Sequence, residues 1–280
     1  MSPRAVGDIF PLQRFRLFSG YPRLCKLLYT AISILLQNCL PTFGRKNAGK
    51  NGMKSIVILD CGPSLPDVSR LFGYAPEWIM EILANTDCSF NWVKSYFGET
   101  VDPQDGDAWI ITGSPRSVND ENDWMLDLEN CIRKSAEINI PVLGICFGHQ
   151  LIAKSFGGRV ELNPNGWELG AYPIQLTDEG VSSSLFAGFD NHAIVNESHQ
   201  DCVTSLPENA VELAFNKKGN QAFKLHESMF AVQFHPEFSW EVIKKYVSAR
   251  SAAGVPIDDP SVPESTQGQL VLHNFINLIY

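Results

Sequence analysis

Five residues, Gly144-Ile145-Cys146-Phe147-Gly148, place one cysteine between two glycines where a buried apolar run meets a helical pattern. The spacing is that of a nucleophile elbow, a sharp strand-to-helix turn that forces its central residue into a strained backbone conformation. Glycine on both sides removes the Cβ atoms that would clash in such a turn. The turn would expose the sulfur at the C-terminal edge of a sheet and seat it at a helix N-terminus, whose partial positive charge favours thiolate over thiol. Taken alone, the motif serves a catalytic thiol or a small buried residue at a strand end equally well.

A thiolate acting on an amide needs a proton carrier, and the chain has six histidines. His149, three residues after Cys146, suits packing or capping of the following helix. His192, His226 and His273 stand alone, as surface or satisfied core histidines do. His235 differs, because the run MFAVQF ends on His235-Pro236-Glu237. Proline stops a ladder and turns the chain, so imidazole and carboxylate leave the strand end together. Such a carboxylate can fix the ring tautomer and stabilise the imidazolium. The oxyanion formed on attack needs backbone donors. Phe147 N–H, after the nucleophile, would be one; Gly113, in the turn Thr112-Gly113-Ser114-Pro115, could give a second, though the segment reads equally well as a plain turn.

These groups need a scaffold. KSIVILD (54–60), FNWVKSYF (90–97), AWIITG (108–113) and PVLGIC (141–146) read as strands, the first and last as runs buried on both faces. Helical spacing covers 75–86, 123–139 and 148–156. The alternation predicts an α/β fold with a doubly wound, mainly parallel sheet. After Gly158 come shorter runs, RVEL, AYPIQL, HAIVNES, AVELAF, QAFKL and MFAVQF, expected as antiparallel strands added to that core. Helices are expected at 239–250 and 269–280, separated by a Pro/Ser/Gly-rich loop.

Charge divides the chain of 280 residues. Residues 1–52 hold eight Lys/Arg against one acid, Asp8, which leaves a net charge of −16 on the remainder. So acidic a body argues against a nucleic-acid surface and for a small-molecule partner. The run LLYTAISILL (27–36) is too short for a membrane span, which takes roughly 20 residues. Segment 1–52 is expected to be a disordered extension or one not native to the mature domain, with a transit-like role as the alternative, and 53–280 to form one domain. The seven scattered cysteines include no CxxC pair and no zinc-like spacing. Reduced thiols in the cytoplasm follow, with no metal and no cofactor.

Combined, the G-x-C-x-G elbow, the strand-ending HPE and the upstream glycine turn resemble the class I (triad) glutamine amidotransferases over roughly 54–250. The resemblance implies a flavodoxin-like core, Cys146 as nucleophile, His235 as base and Glu237 as orienting acid. Gly113 and Phe147 match the oxyanion donors, and Gln150 matches a glutamine-contacting position. SHQDCVTSLP (198–207) resembles the family segment whose backbone, here near His199, Gln200 and Asp201, holds the α-amino and carboxylate groups of the substrate. GGRVELNPNGWELGAYPIQL looks like the matching segment of GMP-synthetase-type domains.

Two departures, TGSP for the more usual G-G-P and Gln200 where glycine is common, look closer to stand-alone members, including γ-glutamyl peptidases. The chain carries no SGGxDS-type pyrophosphate loop, so it is not expected to be a complete GMP synthetase. The resemblance implies hydrolysis of glutamine through a cysteine thioester, with ammonia passed to a synthetase partner. Hydrolysis of γ-glutamyl peptides is the alternative, and a non-catalytic γ-glutamyl-binding subunit the second alternative.

Overall fold

The computed structural model describes residues 52–257 and 262–279. The extension expected over 1–52 therefore lies, apart from Gly52, outside the described residues. In chain order the first half runs β1 (Lys54–Asp60), α1 (Pro66–Phe72), α2 (Ala75–Ile82), β2 (Cys88–Lys94), β3 (Ala108–Ile111), α3 (Asp123–Glu137), β4 (Val142–Ile145) and α4 (Phe147–Ser155). Shorter elements follow: β5 (Arg159–Leu162), β6 (Glu168–Pro173), β7 (Gln175–Leu176), α5 (Asp178–Ser182), β8 (Ile194–His199) and β9 (Asp201–Ser205). The chain then forms β10 (Val211–Asn216), β11 (Gly219–Leu225), β12 (Met229–Val232), α6 (Trp240–Ala252) and α7 (Leu270–Asn277).

An eight-stranded sheet of order β2-β1-β3-β4-β12-β11-β10-β7 organises these elements. The first five strands are mutually parallel, and β11, β10 and β7 continue antiparallel from β12. Side chains alternate across the pleat. Ile56, Ile58, Ile110, Leu143 and Val232 enter one apolar layer, while Val57, Leu59, Trp109, Ile111 and Val142 enter the other. On α3, Met125, Leu128 and Ile132 repeat at helical spacing and bury one stripe against the second layer.

The late strands depart from expectation in three ways. MFAVQF is antiparallel only to β11; on its other side β12 pairs parallel with β4, Val232 opposite Ile145. It is the strand at which the sheet changes direction. RVEL and HAIVNES never reach this sheet, because β5 pairs with β9 and β6 with β8 as two separate ribbons. The run AYPIQL is split, since Pro173 ends the β6–β8 ladder and Ile174 bonds to the carbonyl of Ala193 before β7 begins. The second strand also ends earlier, at Lys94, where Ser95–Phe97 turns into a short 3-10 helix closed by Gly98 at φ 82°. Among the described residues no helix is long and apolar enough to cross a membrane.

The register puts three chain exits side by side. Ile111 pairs with Gly144, and Val232 with Ile145, so Gly113, Cys146 and His235 all leave the C-terminal ends of adjacent parallel strands. That edge is where open α/β sheets hold their ligands.

Candidate active site

The elbow is built as its glycines require. A Cβ on Gly144 would lie 2.6 Å from the backbone of Gly148, and one on Gly148 would lie 2.5 Å from the carbonyl oxygen of Ile111. Helix α4 thereby packs directly on the strand ends. Cys146 is the N-cap of α4 and adopts φ 51°, ψ −97°, outside the conformations that L-residues favour. Its N–H donates to the Val232 carbonyl at 2.9 Å, fastening the turn to β12.

His235 meets this turn from the neighbouring strand end. Its Nδ1 lies 2.7 Å from Glu237 Oε1, and its N–H donates to the Asn196 carbonyl at 2.8 Å. The ring stacks on Phe238 with centroids 3.9 Å apart, and Phe238 stacks on Tyr246 at 4.8 Å. A Cβ on Gly113 would come within 2.9 Å of His235 Cε1 and 3.7 Å of Cys146 Cβ, so only glycine leaves room for the ring. Burial pulls the His235 pKa down. The Glu237 carboxylate, the charge at Cys146 and hydrogen bonds to both outweigh it and raise the value to about 10. His235 is therefore an imidazolium at neutral pH, beside the sulfur that it would neutralise. Burial instead pushes the Cys61 thiol well above its usual value, as for an inert core cysteine. The five described cysteines are all free.

Phe147 N–H stands at the first position of α4, where a helix leaves its donors without intrahelical partners. Gly113 N–H likewise has no acceptor among the described residues. A cleft beside Cys146 gathers Phe147, Gln150, His199, Gln200 and Asp201, so the structure brings the expected substrate-side residues to one wall. Gln150 is nearly buried there. Its amide Nε2 donates to the Asp201 carbonyl at 2.9 Å and to Gln233 Oε1 at 3.1 Å, so this group braces the loop. His199 Nδ1 reaches the same carbonyl at 3.0 Å, and Ser117 Oγ donates to Asp201 Oδ2 at 2.6 Å. His149 is fully buried, its Nε2 is 2.8 Å from Asn220 Oδ1, and burial lowers its pKa to about 4.

Two groups escaped the sequence reading. Beneath the loop, His199 Nε2 lies 3.1 Å from both Glu168 Oε2 and Glu197 Oε2, all fully buried. Burial opposes a charge on His199, but the two carboxylates raise it well above its ordinary value, whereas burial and Glu168 raise Glu197 to about 7. The donor atoms of these three residues lie within 4.8 Å of one another, yet a protonated His199 between the carboxylates occupies the place a cation would take. Glu197 and His199 share one face of β8 at the period of two, a signal the sequence did carry. The second group, Arg250 on α6, belongs to no local motif and is visible only in the fold.

A doubly wound α/β sheet with a cysteine elbow and an adjacent His–Glu pair defines a class of thiol-centred α/β folds. The family profile of class I glutamine amidotransferases matches residues 74–252, and the chain belongs to that family. γ-Glutamyl peptidase 4 of Arabidopsis thaliana is 33% identical over 169 residues, 59% of this chain and 67% of that protein. Peptidases 5 and 3 of the same plant are matched over 62% and 65% of their lengths, so the chain spans less than two thirds of these relatives. The glutamine-hydrolysing GMP synthase of Prochlorococcus marinus is 33% identical over 202 residues, 69% of this chain but 35% of that one. Among solved structures, a glutamine amidotransferase from Methylobacillus flagellatus shares the fold at TM-score 0.65 and 21% identity, covering 81% of this chain and 96% of its own.

Proposed function

We propose that residues 53–280 form a cysteine hydrolase of γ-glutamyl amide bonds, with glutamine as the simplest substrate. The Cys146 thiolate attacks the γ-carbonyl carbon, and the Gly113 and Phe147 N–H groups hold the oxyanion. The C–N bond then breaks as the His235 imidazolium gives its proton to the departing nitrogen, leaving a γ-glutamyl thioester. Neutral His235 takes a proton from water, the hydroxide oxygen bonds to the carbonyl carbon, and the C–S bond breaks to release glutamate. Glu237 keeps the imidazole oriented through both halves, and the wall of Gln150, His199, Gln200 and Asp201 receives the glutamyl head group.

The observation that carries this reading is the conjunction of a cysteine at φ 51° in the elbow, the His235 ring beside it and a carboxylate 2.7 Å behind that ring. A purely γ-glutamyl-binding subunit would have no use for all three. With glutamine the leaving group is ammonia, to be handed to a synthetase partner, a reading supported by the likeness to GMP synthase. With a γ-glutamyl peptide it is an amine, supported by the likeness to γ-glutamyl peptidases, and no partner is needed. The free cysteines favour a reducing, cytoplasmic setting.

The test is hydrolysis of glutamine and of γ-glutamyl dipeptides by the full chain, together with labelling by a glutamine-analogue electrophile. Turnover of at least one substrate, its loss in Cys146→Ala and a label on Cys146 are expected. A folded wild-type protein that neither reacts nor hydrolyses any γ-glutamyl compound sinks the proposal.

A further inference from the structure

A second cleft opens beside Cys146 and, unlike the first, includes none of residues 199–201. It is lined by Ser64, Leu65, Trp78, Tyr246 and Arg250, with His235 and Glu237 at its base. The nitrogen that leaves the carbonyl takes its proton from His235, so the leaving group departs to this side. Ammonia needs no walls of this kind. Here Trp78 packs edge-on against Phe238 at 5.6 Å, and Phe238 stacks on Tyr246, so the lining on this side is aromatic.

Arg250 stands where the two clefts meet, for it lines both together with Cys146 and Ser198. Its guanidinium lies over the Trp167 ring at 4.7 Å, and it is half-buried. No carboxylate pairs with it among the described residues. Arg250 Nε and Ser198 Oγ are both buried atoms without a hydrogen-bond partner. The other arginine of these walls, Arg116, is exposed and faces Asp120 at 3.9 Å. A stacked, half-buried guanidinium with no carboxylate beside it and a buried, unpartnered Nε keeps a donor free for an anion.

We propose that Arg250 is a specificity-determining residue: it receives the carboxylate of the leaving amine, so the favoured substrates are γ-glutamyl amides of amino acids with apolar or aromatic side chains. This rests on the γ-glutamyl hydrolase reading and narrows it from any amide to one whose leaving group carries an anion.

The experiment compares γ-glutamyl-phenylalanine with γ-glutamyl-phenylalaninamide, which differ only in that carboxylate, using the full chain. The wild type should prefer the acid in kcat/KM by on the order of tenfold, the worth of one half-buried charge pair. Arg250→Gln should bring the two substrates close to parity, and Arg250→Lys should restore part of the preference. The same pair, titrated calorimetrically into Cys146→Ala and Cys146→Ala/Arg250→Gln protein, reads the contact without turnover. An acid-to-amide ratio that Arg250→Gln leaves unchanged overturns the proposal. So does an equal loss for both compounds and for glutamine, which would place Arg250 on the glutamyl carboxylate. Absence of hydrolysis in the wild type would instead strike the parent reading, with the binding ratio still deciding the role of Arg250.

Discussion

At the scale of the residue, the decisive group in the proposed reaction is His235, because that reaction asks one ring to deliver a proton and later remove one. Burial alone would keep it neutral; Glu237 and the charge at Cys146 reverse that and hold it protonated up to about pH 10. The form competent for attack is the thiolate–imidazolium pair, so kcat/KM should fall on the alkaline side as this pair loses its proton. Glu237→Gln keeps an oxygen to accept from Nδ1 but removes the negative charge. The alkaline limb should then move to lower pH, by about one unit, since a carboxylate at hydrogen-bond distance shifts a partner by that order. The full pH dependence of kcat/KM for both proteins reads this. A limb that stays in place would show that Glu237 does not set the proton affinity of the ring.

At the scale of the element, the turn between β4 and α4 couples strain to reactivity. Its cysteine, Cys146, sits at φ 51°, ψ −97°, a conformation costing a side-chain-bearing residue about 1–3 kcal/mol. Cys146→Ala removes the sulfur and keeps that strain; Cys146→Gly removes both. The glycine variant should therefore be the more stable of the two by about 1 kcal/mol, after the greater freedom of glycine in the unfolded chain is offset. Denaturant midpoints of the two variants measure the difference, and a more stable alanine variant would mean the turn is unstrained. This element was legible in the sequence because all its demands are local: glycines at 144 and 148, an apolar run before and a helical pattern after. The strand-ending HPE and the glycine at 113 were legible for the same reason. What was not legible depends on partners distant in the chain. Nothing within RVEL or HAIVNES says that each will pair in its own ribbon, nor within MFAVQF that it will face β4 as well as β11. Arg250 looks like any polar residue near a helix end until α6 packs beside the strand tips.

At the scale of the whole molecule, three buried ionisable groups make stability depend on pH in opposing directions, and their signs can be worked out. His149, lowered from 6.5 to about 4, favours the folded state above pH 6.5, and that contribution is lost as pH falls towards 4. His235, raised from 6.5 to about 10, contributes below pH 6.5 and loses its contribution as pH climbs to 10. Glu197, raised from 4.5 to about 7 by burial and by Glu168, against the opposing pull of His199 and His235, binds its proton more tightly folded than unfolded. Its stabilisation is complete below pH 4.5 and gone once pH passes 7. An ionised Glu197 is thus disfavoured in the ribbon of β6 and β8, where Oε2 meets His199 Nε2 at 3.1 Å but Oε1 is buried without a hydrogen-bond partner. Glu197→Gln imitates the protonated acid at every pH. Melting temperatures of variant and wild type should nearly coincide at pH 5 and separate at pH 8, where the variant should be the more stable. Because each comparison is made at one pH, repulsion within the acidic body and the titration of the histidines largely cancel from the difference. A gap of equal size at both values would show that Glu197 does not titrate between them, and that His199 holds both carboxylates ionised throughout.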